Sequence, residues 1–199
     1  IQNSVDSIEN AVAEGLMSNE DAYIKVFIDA ENGCISIIDN GKGISVARAT
    51  NVLLSIGKST KRQDANRGFR GIGRLGGLSY CERLLFTTSV QGEDVATRII
   101  FDCKLLKSLL SPDHEEELDL QSVIERITEV EEIDVDKDDH FFRVDMDEVD
   151  SSSELLDLDE IKQYLSEVAP VPYDERHFVV APEIKRFLNE HDYTLTEFK

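Results

Sequence analysis

The stretch CISIIDNGKGISV, residues 34–46, runs a short isoleucine-rich segment straight into Asp39-Asn40-Gly41-Lys42-Gly43. A run of this length and composition fits a buried strand. Its last residue is then a carboxylate carried to the edge of a core, where it must accept hydrogen bonds from some donor. The exocyclic amine of an adenine is a donor of that kind. Gly41 and Gly43 remove the β-carbons that would keep a flat ring off the backbone.

Upstream, AYIKVFIDAENGCISIID reads as two strands joined through Glu31-Asn32-Gly33, because Asn-Gly tolerates the positive φ of a tight turn. The opening IQNSVDSIENAVAEG puts Ile1, Val5, Ile8 and Val12 at helical spacing, with Gly15 as a stop. Asn3, Asp6, Ser7 and Asn10 form a second stripe on another face of that helix. Polar stripes are ordinarily solvated. An uncharged oxygen such as that of Asn3 is nevertheless a ligand Mg²⁺ accepts beside waters and phosphate oxygens.

Downstream, residues 45–56 are helix-like, and GKSTKRQDANRGFRGIGRLGG at 57–77 is too polar for core and too rich in glycine for a continuous helix. A mobile loop is expected there. Two motifs compete within it and fail. GKST ends like a phosphate-binding P-loop, but Val52 stands where that motif needs a glycine. GIGRLG at 71–76 matches the dinucleotide glycine pattern, yet no hydrophobic strand leads into it. Backbone N–H groups at Gly68, Gly71, Gly73 and Gly76 can still face a phosphate chain at a helix start. Lys58, Lys61, Arg67, Arg70 and Arg74 add positive charge around them.

ERLLFTTSV and VATRIIFDC form a second hairpin about Gly92. Beyond residue 104, SPDHEEELD is an acidic connector, and QSVIERITEVEEIDV stays open between helix and strand. HFFRVDM reads as a strand. SSSELLDLDEIKQYLSEVAP is a helix with a serine cap and a proline stop, and APEIKRFLNEHDY is a further short helix. DVDKDD at 134–139 imitates a calcium loop, but Asp139 sits where the sharp turn needs glycine, so a solvated acidic turn is expected.

The 199 residues, 41% of them apolar, suffice for one domain with an appended piece. No apolar run approaches the ~18 residues of a membrane span and no leader opens the chain, so a soluble, cytoplasmic protein is expected. Cys34, Cys81 and Cys103 are odd in number and widely spaced, as reduced and mostly buried thiols are. Four scattered histidines make a zinc site unfavourable. Residues 1–104 carry 13 acids and 12 bases, whereas the remainder carries 28 and 9. The acidic half argues against direct nucleic-acid binding through that surface.

The order of these pieces, NSVDS on a helix, DNGKGI after a strand, then GKSTK and GFRGIGRLGG, resembles the GHKL ATPase superfamily of gyrase B, ninety-kilodalton heat-shock chaperones, MutL and histidine kinases. The likeness spans about residues 1–104. It implies an α/β (α+β) two-layer sandwich of the Bergerat type, a mixed, mostly antiparallel sheet covered by helices on one face. By the match, residues 1–150 form the ATP-binding domain, with its first strand and helix start ahead of Ile1. Residues 151–199 form a helical, acidic extension leading to a downstream region.

The resemblance further implies that Asn3 coordinates Mg²⁺, that Asp39 binds the adenine amine, and that Gly41 and Gly43 shape the adenine pocket. Lys58 and Ser59 would lie near the sugar-phosphate side, while Gly71, Ile72 and Gly73 contact phosphates from a lid. Asp6, three residues after Asn3, fits the chaperone, gyrase and MutL pattern better than the kinase pattern. The family's general base falls two positions ahead of Ile1. HFFRVDM occupies the region where many members carry a Gly-Thr pair, without one, and Thr97 follows Ala96. ATP and Mg²⁺ would close the lid and switch contacts with a downstream domain or second subunit. A non-hydrolysing nucleotide-binding or acidic interaction module is the alternative reading, with a histidine kinase third.

Overall fold

The computed structural model describes residues 1–54, 73–111, 118–168 and 181–190. Helix α1 (Gln2–Ala13) leads into the hairpin β1 (Ile24–Asp29) and β2 (Cys34–Asp39), followed by α2 (Val46–Leu54). A 3-10 helix over Gly73–Ser79 precedes the second hairpin, β3 (Arg83–Ser89) and β4 (Val95–Asp102). Then come α3 (Cys103–Leu109), α4 (Leu120–Ile127), β5 (Thr128–Asp134) and β6 (Phe141–Asp147). A 3-10 turn at Glu154–Leu156, α5 (Leu158–Val168) and α6 (Ala181–Glu190) complete the described chain.

The six strands form one sheet in the order β1-β2-β6-β3-β4-β5, and every pair is antiparallel. The expected mixed sheet is therefore antiparallel throughout. Strand β6 joins late in sequence and inserts between the two hairpins, which makes the sheet continuous.

Helices pack on one face. Leu84 and Phe86 of β3, Ile99 and Phe101 of β4, and Ile35 of β2 form a buried cluster with Leu53 of α2, Cys103 of α3 and Ile127 of α4. Phe86 meets Phe101 edge to face at 5.8 Å, a geometry that suits their ring quadrupoles. Alternation on β1 shows the two faces plainly: Ile24, Val26 and Ile28 are partly buried, while Lys25, Phe27 and Asp29 are exposed.

Part of the acid surplus caps helices. Asp102 accepts the Leu105 N–H at 2.7 Å, Asp119 that of Ser122 at 2.7 Å, and Asp157 those of Asp159 and Glu160 at 2.9 and 3.2 Å. Each carboxylate satisfies an orphan donor and faces the positive helix end. The single serine-capped helix expected over 151–170 is divided accordingly. Ser153 caps only the 3-10 turn, Leu156 goes into the core, and Asp157 starts α5. The open stretch QSVIERITEVEEIDV also divides, helix through Ile127 and strand from Thr128. The acidic turn expected at 134–139 is present, with Asp136 accepting the Asp138 N–H at 3.1 Å.

No helix among the described residues is long and apolar enough to cross a membrane. The loop expected at 57–77 lies largely outside the described residues; of its motif, Gly73 to Gly77 form the start of the 3-10 helix.

Candidate nucleotide site

Strand β2 ends on Asp39, 2% exposed, and the chain then turns sharply toward α1. The turn is held from several directions. Asp39 Oδ1 accepts the Gly41 N–H at 3.0 Å. The Asn40 side chain accepts the Tyr23 N–H and donates to the Asp21 carbonyl, each at 2.8 Å. The Ile44 N–H donates to Thr88 Oγ1 at 2.8 Å, and that hydroxyl donates to the Phe141 carbonyl at 3.0 Å.

Burial pushes the Asp39 carboxyl up to about 6, against the pull of the Ser4 hydroxyl and the Gly41 N–H. An acid in this state is under-solvated for its charge and can take a further hydrogen-bond donor. Register sets its neighbours: Asp39 pairs with Phe142, Phe142 with Thr88, and Thr88 with Thr97. Directly paired residues point to the same side, so these four stand in one row on the helix-covered face. Thr88 is spent on structural bonds, whereas Thr97 Oγ1 is buried without a partner.

Helix α1 forms the adjoining wall. Ser4, Val5, Ile8 and Ala11 are its buried residues, so the buried stripe includes Ser4 where the apolar spacing pointed to Ile1 and Val12. Asn3 is exposed, and Asp6 is half-buried with Oδ2 inaccessible and unpartnered. The exposed amide oxygen of Asn3 is of the hard, uncharged kind that Mg²⁺ accepts beside waters and phosphate oxygens. Among the described residues no group of three or more His, Cys, Asp or Glu side chains is placed to hold a metal on its own.

The two glycines act differently from the sequence argument. A Cβ on Gly41 would lie 2.4 Å from Ser7 Oγ and 2.8 Å from the Ser7 carbonyl carbon. One on Gly43, at φ +67°, would lie 1.9 Å from the Ser89 carbonyl oxygen. Protein, not open space, fills both directions. The glycines let the turn close onto α1 and the end of β3.

Of the residues singled out by sequence, Asp39, Gly41 and Gly43 lie together, with α1 and its Asn3 and Asp6 packed against them through Ser4 and Ser7. Gly73 opens the 3-10 helix, and Lys58, Ser59, Gly71 and Ile72 lie outside the described residues. Sequence reasoning missed Ser4, Thr88 and His140, whose Nδ1 lies 3.0 Å from the Gly41 carbonyl. Ser4 sits inside the NSVDS motif and was open to discovery; Thr88 and His140 acquire their places only through strand register.

A cleft of about 930 Å³ opens elsewhere, between the Ala30–Gly33 turn, Tyr80, Lys107 and the 148–156 segment. It is at the opposite end of β2 and lacks a buried unpaired group.

The family model described as histidine kinase-, DNA gyrase B-, and HSP90-like ATPase matches residues 1–139. No curated protein matches the chain.

Proposed function

The chain belongs to the histidine kinase-, DNA gyrase B- and HSP90-like ATPase family, within the GHKL superfamily, and from that premise we propose that it binds Mg-ATP at the Asp39 turn and couples binding to closure of the glycine-rich segment 57–76. The observation that carries this reading is Asp39 itself. It is a carboxylate buried at a strand end, its charge undercompensated, beside a turn whose glycines exist to bring backbone, helix and strand together.

The adenine amine donates to Asp39, and Ser4 and Gly41 orient the carboxylate from the protein side. Mg²⁺ would be held by Asn3, with Asp6 on the same helix as part of the nucleotide site, and the ion would supply neutralisation of phosphate charge when bound. Lys58, Ser59, Gly71, Ile72 and Gly73 contact the sugar-phosphate and phosphate groups. Hydrolysis needs a general base one helical turn before Asn3, a position ahead of Ile1. Catalysis would otherwise rest on positioning and charge stabilisation. Lid closure would switch contacts with a downstream domain or second subunit, as in chaperone-like members.

Calorimetric titration of Mg-ATP into the chain and into Asp39→Asn tests the proposal. Saturable binding by the first and its loss in the second is expected, and equal binding by both overturns it. The acidic second half favours one other reading, a module that docks a basic partner without using nucleotide. No saturable binding by either protein would leave that reading standing.

A further inference from the structure

The peptide unit joining Gly41 to Lys42 is held on both edges. Its N–H donates to the Ser7 carbonyl of α1 at 3.4 Å. Its carbonyl, that of Gly41, lies 3.0 Å from His140 Nδ1 across 99 residues of chain. A carbonyl only accepts, so Nδ1 carries the proton and the ring is in the tautomer that donates there. The contact follows from register. In the antiparallel β2/β6 pair Asp39 lies opposite Phe142; continued two residues past the strand end, the same register sets Gly41 opposite His140.

Gly41 cannot fix this peptide by itself. It has no Cβ to limit its dihedral angles, because a Cβ there would strike Ser7. Gly41 also supplies, through its other peptide, the N–H that occupies Asp39 Oδ1. A rotation about Gly41 would disturb which carboxylate oxygen is left for a ligand. The remaining groups of the turn, on Asn40 and Ile44, are tied elsewhere and do not restrain the Gly41 carbonyl.

We infer that His140 is a positioning residue of the nucleotide site, which locks the Gly41–Lys42 peptide through Nδ1 and so presents the Asp39 carboxylate in the orientation that selects an adenine amine. This rests on the Mg-ATP reading. It adds a specificity determinant from the residue that leads into β6, remote in sequence from both NSVDS and DNGKGI.

The test is calorimetry on the 199-residue chain with Mg-ATP and Mg-GTP, comparing wild type, His140→Leu and His140→Asn. Leucine keeps bulk and loses the donor; asparagine keeps an N–H near the place of Nδ1. His140→Leu should bind Mg-ATP about tenfold more weakly, the worth of one buried hydrogen bond, with a reduced preference for ATP over GTP. His140→Asn should fall within about threefold of wild type. A folded leucine variant with wild-type affinity and preference overturns the inference while leaving the Mg-ATP reading intact, and so does an asparagine variant as weak as leucine. Wild type that binds neither nucleotide overturns both. Should the leucine variant not fold, imidazole nitrogen NMR of wild type with Mg-ATP decides: a proton on Nδ1 supports the lock, and a ring protonated only on Nε2 refutes it.

Discussion

Asp29 and Asp39 each end a strand of the same hairpin, and they differ in every property that bears on chemistry. Asp29 is exposed. Its two oxygens accept the backbone and side-chain N–H groups of Asn32 at 3.1 and 2.7 Å, which hold its carboxyl below the usual range. Asp39 is buried, and its carboxyl is pushed up to about 6. The first carboxylate builds a turn. The second works against the fold, since a rise from 3.8 to about 6 corresponds to about 3 kcal/mol lost when the group ionises. A strand-end aspartate is therefore ordinary where water reaches it and informative where water does not, because strongly perturbed carboxyls concentrate at functional sites.

The largest effect that sharpens this contrast comes from the backbone around each aspartate. Gly43→Ala should destabilise the chain by about 4 kcal/mol or more, seen as a collapse of the urea midpoint, because the new Cβ meets the Ser89 carbonyl at 1.9 Å with φ at +67°. A mild effect there would break the claim that the Asp39 turn is built on close approach.

Asp39→Asn should next separate stability from binding. It removes the buried charge, so the free protein gains up to about 3 kcal/mol at pH 7.5 while Mg-ATP affinity falls by about a hundredfold. Denaturant melts with and without nucleotide measure both. Loss of stability in the free protein would mean that Asp39 is structural.

The pH dependence follows with a definite sign. Asp39 has a folded pKa above its unfolded value, so its contribution to stability is greatest below about pH 4 and is lost as pH rises through about 6. Asp29, Asp119 and Asp150 have lowered values and act oppositely, contributing above about pH 4 and losing that contribution on acidification. The difference between the wild-type and Asp39→Asn stability curves isolates the first effect and should change between about pH 4 and pH 6. Mg-ATP binding should weaken about tenfold per pH unit below about 6, since a protonated Asp39 accepts poorly.

Gly33→Ala, at the turn that Asp29 closes, should cost about 2 kcal/mol, because its Cβ would meet the Val149 carbonyl at 2.9 Å with φ at +63°. The smallest effect belongs to Asp29→Ala. It should leave nucleotide affinity unchanged and lower the melting temperature slightly.

What the sequence revealed followed local chemistry. The hairpin around Asn32-Gly33, the helix carrying NSVDS, and the burial of Asp39 were all readable, because each depends on neighbours within a few residues. Helix α3 was hidden: the strand pattern of VATRIIFDC runs into it, and only Asp102 as a cap marks the boundary. The split at Ile127 and Thr128 was hidden because amphipathic helix and alternating strand share that composition. The placement of β6 between the hairpins was not readable at all, and with it went the parts played by Thr88 and His140. The packing role of Gly41 and Gly43 was hidden for the same reason, since Ser7 and Ser89 reach them only in the folded chain.

Carbon NMR of the Asp39 carboxyl, titrated from pH 4 to 8 with and without Mg-ATP, tests the central claim most directly. A midpoint near 6 in the free protein that drops when nucleotide binds is the expected result, because a donor to the carboxylate favours its charged form. An ordinary midpoint near 3.8 in the free protein, or one that nucleotide leaves unmoved, would contradict the assignment of Asp39 as the group that grips the base.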